Sequence, residues 1–119
     1  MSENTQPLPV LALVSDLIFS TKISAEARAA GVPLKIVRQA AQLAQQPGAK
    51  LIVDLNMPAA IEAAAAWGKS TGKPVIAFVS HEDRATIDQA RQAGLPRIMA
   101  RSQFVTALPS LLTAKPGSP

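Results

Sequence analysis

Apolar residues in this chain come in short unbroken runs, separated by stretches that repeat at helical spacing. Val10-Leu11-Ala12-Leu13-Val14, Leu51-Ile52-Val53 and Val75-Ile76-Ala77-Phe78-Val79 show no polar alternation, the pattern of strands covered on both faces in a parallel sheet. Two shorter runs, Leu34 to Val37 and Arg97 to Ala100, bring the predicted strands to five. Between the first two lies a helical pattern from Phe19 to Ala30, with Phe19, Ile23, Ala27 and Ala30 on one face and Gly31 closing it. Gln39 to Gln46 predicts a second helix, stopped by Pro47-Gly48. Ala59 to Lys69 predicts a third, led by Pro58 and ended near Gly72, with Ala60, Ala64 and Trp67 as its packing stripe. Ser80-His81-Glu82-Asp83 fits a capping box for a fourth helix that runs to Ala93, with Gly94 as its C-cap. A last helix begins near Ser102, and Pro109 is expected to kink or restart it.

Strands and helices that alternate over short connections predict an α/β fold: a doubly wound five-stranded parallel sheet with right-handed crossovers. Order 2-1-3-4-5 is the natural solution at this length. The expectation is one domain over residues 1–119, with loose ends at 1–7 and 115–119. In that order the ends of strands 1 and 3 are adjacent, and open α/β sheets place ligands at such a switch point. Asp16 and Asp54, at those two ends, are therefore expected to meet.

Composition narrows the chemistry. There is no cysteine and a single histidine, which excludes disulfides, a thiol nucleophile and a zinc site built from histidine and cysteine. The net charge of +4 is the balance of twelve cations, scattered singly, against eight acids, with three phenylalanines and one tryptophan to stack on bases. That distribution suits a solvated surface, and nucleic acid is not expected as a direct partner. No Lys or Arg precedes Lys22, and no apolar run approaches the length of a membrane span. A cytoplasmic protein without signal peptide or membrane contact is the expectation.

An aspartate placed directly after a buried apolar run must be solvated or paired, which singles out Asp54. Two carboxylates about 4 Å apart repel by roughly 4 kcal/mol at an effective dielectric near 20, so Asp16 and Asp54 together call for a cation or a shared proton. Carboxylates, a backbone carbonyl and water form an all-oxygen set that favours Mg²⁺. The end of strand 4 adds Ser80, a hydroxyl able to donate to an oxyanion or to cap a helix, and the end of strand 5 adds Arg101. Asp16 reads equally as a helix-start charge, Asn56 as a helix cap, Arg101 as a neutraliser of the aspartates, and His81 as a solvated loop residue.

Asp54-Leu55-Asn56-Met57-Pro58 resembles the phosphoacceptor segment of response-regulator receiver domains, and the likeness extends over nearly the whole chain. Asp16 matches one of that family's paired metal-binding acids, and Ser80 its Thr or Ser after strand 4. Ala90-Arg91-Gln92-Ala93-Gly94 matches the end of the family's fourth helix, and Arg101 its lysine after strand 5. The resemblance implies a flavodoxin-like receiver fold and two-component signalling. Asp54 would be phosphorylated from a sensor histidine kinase, with Mg²⁺ held by Asp16, Asp54 and the Asn56 carbonyl. Ser80 and Arg101 would contact the phosphoryl oxygens. Output would pass through protein–protein contact with another signalling protein, and a homodimer is one form that contact can take.

Several positions depart from the family pattern. Ser15 stands where a second acid is usual, Pro58 leads straight into Ala59 without an Asp-Gly turn, and Arg101 replaces lysine. Ser102 stands in place of a proline and Ile98 in place of the switch aromatic. A phosphorylation-independent pseudo-receiver is therefore the alternative within the family. From other classes come a small phosphohydrolase with Asp54 as nucleophile, for which Asn56 stands where a second aspartate is needed, and a nucleotide- or flavin-binding module, for which no glycine-rich loop follows strand 1. A turnover enzyme is not expected, beyond phosphorylation and dephosphorylation at Asp54 itself.

Overall fold

The computed structural model describes residues 8–95 and 97–113. The loose ends expected at 1–7 and 115–119 lie outside the described residues. Five strands form one sheet in the order 2-1-3-4-5: β1 (Val10–Leu13), β2 (Leu34–Val37), β3 (Lys50–Asp54), β4 (Val75–Val79) and β5 (Ile98–Ala100). All four pairings are parallel. The helices are α1 (Leu17–Ala30), α2 (Ala60–Thr71), α3 (Arg84–Gln92) and α4 (Arg101–Thr113).

The unbroken apolar runs are explained by a helix layer on each face. Leu11, Leu13, Leu51, Val53, Ala77 and Val79 point to the layer of α2 and α3, where Trp67, Ala64 and Ala90 cover them. Val10, Ala12, Ile52 and Phe78 point the other way, beneath Phe19 and Ile23 of α1 and Phe104 and Leu108 of α4. The period-2 alternation divides apolar residues between two cores, so no polar face appears in the sequence.

The second helix expected over Gln39–Gln46 is absent. A single 3₁₀ turn, Ala40–Gln42, stands there, continued by Gln46 N–H donating to Leu43 O at 3.0 Å. Leu43 is the segment's buried anchor, and eight residues with one anchor return too little burial for a helix to form. The Trp67 indole N–H takes the Gln46 carbonyl at 3.0 Å, and the chain then passes Gly48. A Cβ at Gly48 would lie 2.6 Å from Leu11 Cγ, so glycine there is a condition of the crossing.

Two other boundaries differ from expectation. Arg101 opens α4, and Pro109 sits within it without ending it. The fourth predicted helix, α3, starts at Arg84 with Asp83 as its N-cap, accepting from Ala85 N–H at 3.1 Å. Ser80 is not part of that cap. Asp83 also accepts from the Thr86 hydroxyl at 2.7 Å, and this bond chiefly holds its carboxyl below the ordinary aspartate value. Among the described residues no helix is long and apolar enough to cross a membrane.

Candidate functional site

Asp54 is the last residue of β3 and pairs in register with Phe78 of β4. Two residues after Ile52, its side chain leaves the sheet on the α1–α4 face, and it is only 6% exposed. The backbone then turns tightly, with Leu55 N–H donating to Phe78 O at 2.9 Å, Met57 N–H to Asp54 O at 3.2 Å and Ala60 N–H to Met57 O at 3.2 Å. This turn brings the Asn56 amide N–H to Asp54 Oδ1 at 3.0 Å.

From the end of β4, the Ser80 hydroxyl donates to the same Asp54 Oδ1 at 3.1 Å and lies 3.2 Å from Asn56 Oδ1. A hydroxyl has one proton, so it is shared between two acceptors. Asn56 Oδ1 also accepts from the His81 backbone N–H at 2.8 Å. The Asn56 side chain therefore pins the β4–α3 loop to the β3–α2 loop, and does not cap α2. Ala59 occupies that cap position with no side-chain hydrogen bond, at φ 62°. An alanine in the left-handed region is strained, and the strain lies five residues beyond the buried carboxylate.

Among the described residues Asp54 Oδ2 accepts no hydrogen bond, so one oxygen of this buried residue is without a partner there. That is the observation a hard cation or a phosphoryl group fits. Asp16 follows β1, whose Leu13 pairs with Val53, so both acids leave the sheet on neighbouring strands. Its Oδ1 accepts from Phe19 N–H at 3.0 Å as the N-cap of α1. The helix-start reading of Asp16 is thus realised, and its second oxygen stays available. Among the described residues no three acids or histidines cluster as a metal cage. Mg²⁺ needs none, since it keeps several waters and takes one or two carboxylates.

Arg101 leaves β5 immediately after Ala100, which pairs with Val79, so it emerges level with Ser80. Its guanidinium lies over the Phe19 ring, 4.9 Å from the centroid. Ser80, Glu82, Arg101, Ser102 and Thr106 line an open cleft of about 600 Å³ that reaches the carboxylate's neighbourhood only through Ser80. His81 is exposed in the loop, its backbone N–H engaged by Asn56. The sequence reading missed two participants, the Asn56 side-chain oxygen as a loop latch and Phe19 as a seat for Arg101. Spacing carries no signal for the first. For the second, the signal was that the chain's three phenylalanines fall on three elements that meet at one edge.

A doubly wound sheet of this order, with an acid after strand 3, a hydroxyl after strand 4 and a cation after strand 5, has the fold of response-regulator receiver domains. The chain superposes on the phosphorylated cyanobacterial phytochrome response regulator RcpA with a TM-score of 0.73 at 16% identity, covering 95% of this chain and 100% of that one. The receiver domain of the sensor histidine kinase PA1611 from Pseudomonas aeruginosa PAO1, with magnesium coordinated in its active-site cleft, matches with a TM-score of 0.74 at 18% identity over 90% of this chain and 95% of that one. A CheY-like receiver domain protein from Methanospirillum hungatei JF-1 matches with a TM-score of 0.71 at 13% identity, over 90% and 94%. No protein-family model matches the sequence, and no match is found among curated proteins.

Proposed function

We propose that this chain is a receiver-like signalling module in which Asp54 accepts a phosphoryl group and passes the change on by protein–protein contact. The observation that carries this reading is the buried Asp54 carboxylate, with Oδ1 held by Ser80 and the Asn56 amide and Oδ2 unpartnered among the described residues. An aspartate so held presents one oxygen as nucleophile in a fixed direction. The donor is a sensor histidine kinase or a small phosphodonor. Asp16, Asp54 and the Asn56 backbone carbonyl are the residues that would hold Mg²⁺, whose contribution is to offset the charge of the transferring group. Ser80 donates to a phosphoryl oxygen once its proton leaves Asn56, and Arg101 supplies the side-chain cation. Chains of this fold with a phosphorylated state, in RcpA, and with magnesium, in the PA1611 receiver, support the assignment.

A second reading, a pseudo-receiver, draws support from Asp16 capping α1 and Arg101 seated on Phe19. In that version the contact network is the permanent state and partner binding is independent of Asp54. Beryllofluoride, which mimics an aspartyl phosphate, separates the two. With Mg²⁺ it shifts the amide resonances of Asn56, Ser80 and His81 under the first reading, and Asp54→Asn abolishes the shifts. An unchanged spectrum leaves the pseudo-receiver.

A further inference from the structure

The chain's three phenylalanines meet beneath the site. Phe78 stacks on Phe104 with centroids 4.2 Å apart and planes 11° from parallel. Phe19 meets Phe78 edge-on at 5.0 Å and Phe104 at 5.7 Å. Rings wedged in this way present a fixed face, and Phe19 is only 4% exposed. Its backbone is fixed as well, by the Asp16 carboxylate on its N–H. Phe78 stands opposite Asp54 in the strand pairing. The platform, drawn from α1, β4 and α4, is therefore anchored on the strand that neighbours the acid.

Among the described residues Arg101 is held by the Phe19 ring and by no carboxylate. We propose that Phe19 is a positioning residue: its ring seats the Arg101 guanidinium at the cleft mouth, level with Ser80, and yields it to phosphoryl oxygens as they gather charge on Asp54. The proposal rests on the phosphoacceptor reading. A ring face attracts a cation more weakly than a phosphoryl group that a guanidinium can grip with two parallel bonds. The cation thus waits near the site without neutralising the nucleophile. A planar guanidinium stacks on a ring where a compact, strongly hydrated ammonium does not, which gives arginine at this position a physical reason.

Two measurements on the full chain test this, using Phe19→Leu, Phe19→Tyr, Arg101→Lys and the Phe19→Leu/Arg101→Lys pair. The first needs no phosphorylation. Arg101 side-chain protons are expected upfield-shifted by the ring current, in the wild type and in Phe19→Tyr, and at ordinary positions in Phe19→Leu. The second is the lifetime of the acyl phosphate formed with Mg²⁺ and acetyl phosphate. Phe19→Leu is expected to change it about fivefold, the factor a contact of this class is worth, while Phe19→Tyr stays near wild type. In the Arg101→Lys background the Phe19→Leu effect should vanish. Unshifted Arg101 protons in the wild type, or a Phe19→Leu effect that is equal with and without Arg101→Lys, would overturn the proposal. If the wild type forms no acyl phosphate, the phosphoacceptor reading falls and takes the handover with it. The ring-current result then still decides whether Phe19 holds Arg101. Should Phe19→Leu fail to fold, the exposed Arg101→Lys alone decides by the same lifetime: a wild-type value would overturn the proposal.

Discussion

Asp54 sits in a place that water barely reaches, with two donors aimed at one of its oxygens. Neither donor is a cation, so the acid is held in place without being neutralised. Asp16 is different: its carboxylate is already committed to the first turn of α1. Capping and metal binding are separable there, since asparagine caps a helix as well as aspartate but carries no charge. Asp16→Asn is expected to leave the unfolding free energy within about 0.5 kcal/mol of wild type, and to remove the Mg²⁺ dependence of phosphoryl uptake. Asp16→Ala should cost about 1 kcal/mol. Urea unfolding followed by Trp67 fluorescence reads both, because Trp67 of α2 is buried and its indole N–H donates to the Gln46 carbonyl.

At the scale of elements, three strands were legible as unbroken apolar runs and two as shorter ones, and their order followed from the strand–helix alternation at this chain length. The sheet was predicted in the observed strand order, with Asp54 at the end of the third strand, next to the first. The segment Gln39–Gln46 was misread because its polar glutamines admit a helix that tertiary packing does not reward; only Leu43 is anchored. The capping box at Ser80 was misread for a complementary reason. Ser80 has a better acceptor in Asp54, 26 residues away, and local spacing cannot reveal a partner at that distance. Ala59 was likewise silent, since nothing in the sequence marks its positive φ of 62°. Relief of that strain offers a test: Ala59→Gly should raise the unfolding free energy by about 0.5–1 kcal/mol, the left-handed penalty less the added chain entropy. A lower midpoint in urea would show that the Ala59 side chain contributes more by contact than it costs in strain.

Across the whole molecule, one residue ties the middle of the chain to its last helix. Lys50, 5% exposed at the start of β3, donates to the Leu111 carbonyl of α4 at 2.7 Å. It thereby caps the C-terminal turn of the helix that Arg101 begins. Burial lowers its pKa from the ordinary 10.5. Between the lowered folded value and 10.5 the unfolded chain binds more protons than the folded one, so stability rises with pH in that window. The burden of the buried charge is present below the folded pKa and relieved above it, while the neutral amine can still donate to Leu111. Stability measured against alkaline pH should therefore climb in wild type relative to Lys50→Met. Parallel profiles for the two proteins would show that the ammonium is not the source.

The central claim, that the Asp54 carboxylate is a phosphoacceptor, is tested most directly by intact mass after incubation with Mg²⁺ and acetyl phosphate. Wild type is predicted to gain the mass of a phosphoryl group only when the metal is present, and Asp54→Asn to gain none. Wild type that stays unmodified with metal and donor in excess would contradict the claim, as would an adduct that persists in Asp54→Asn.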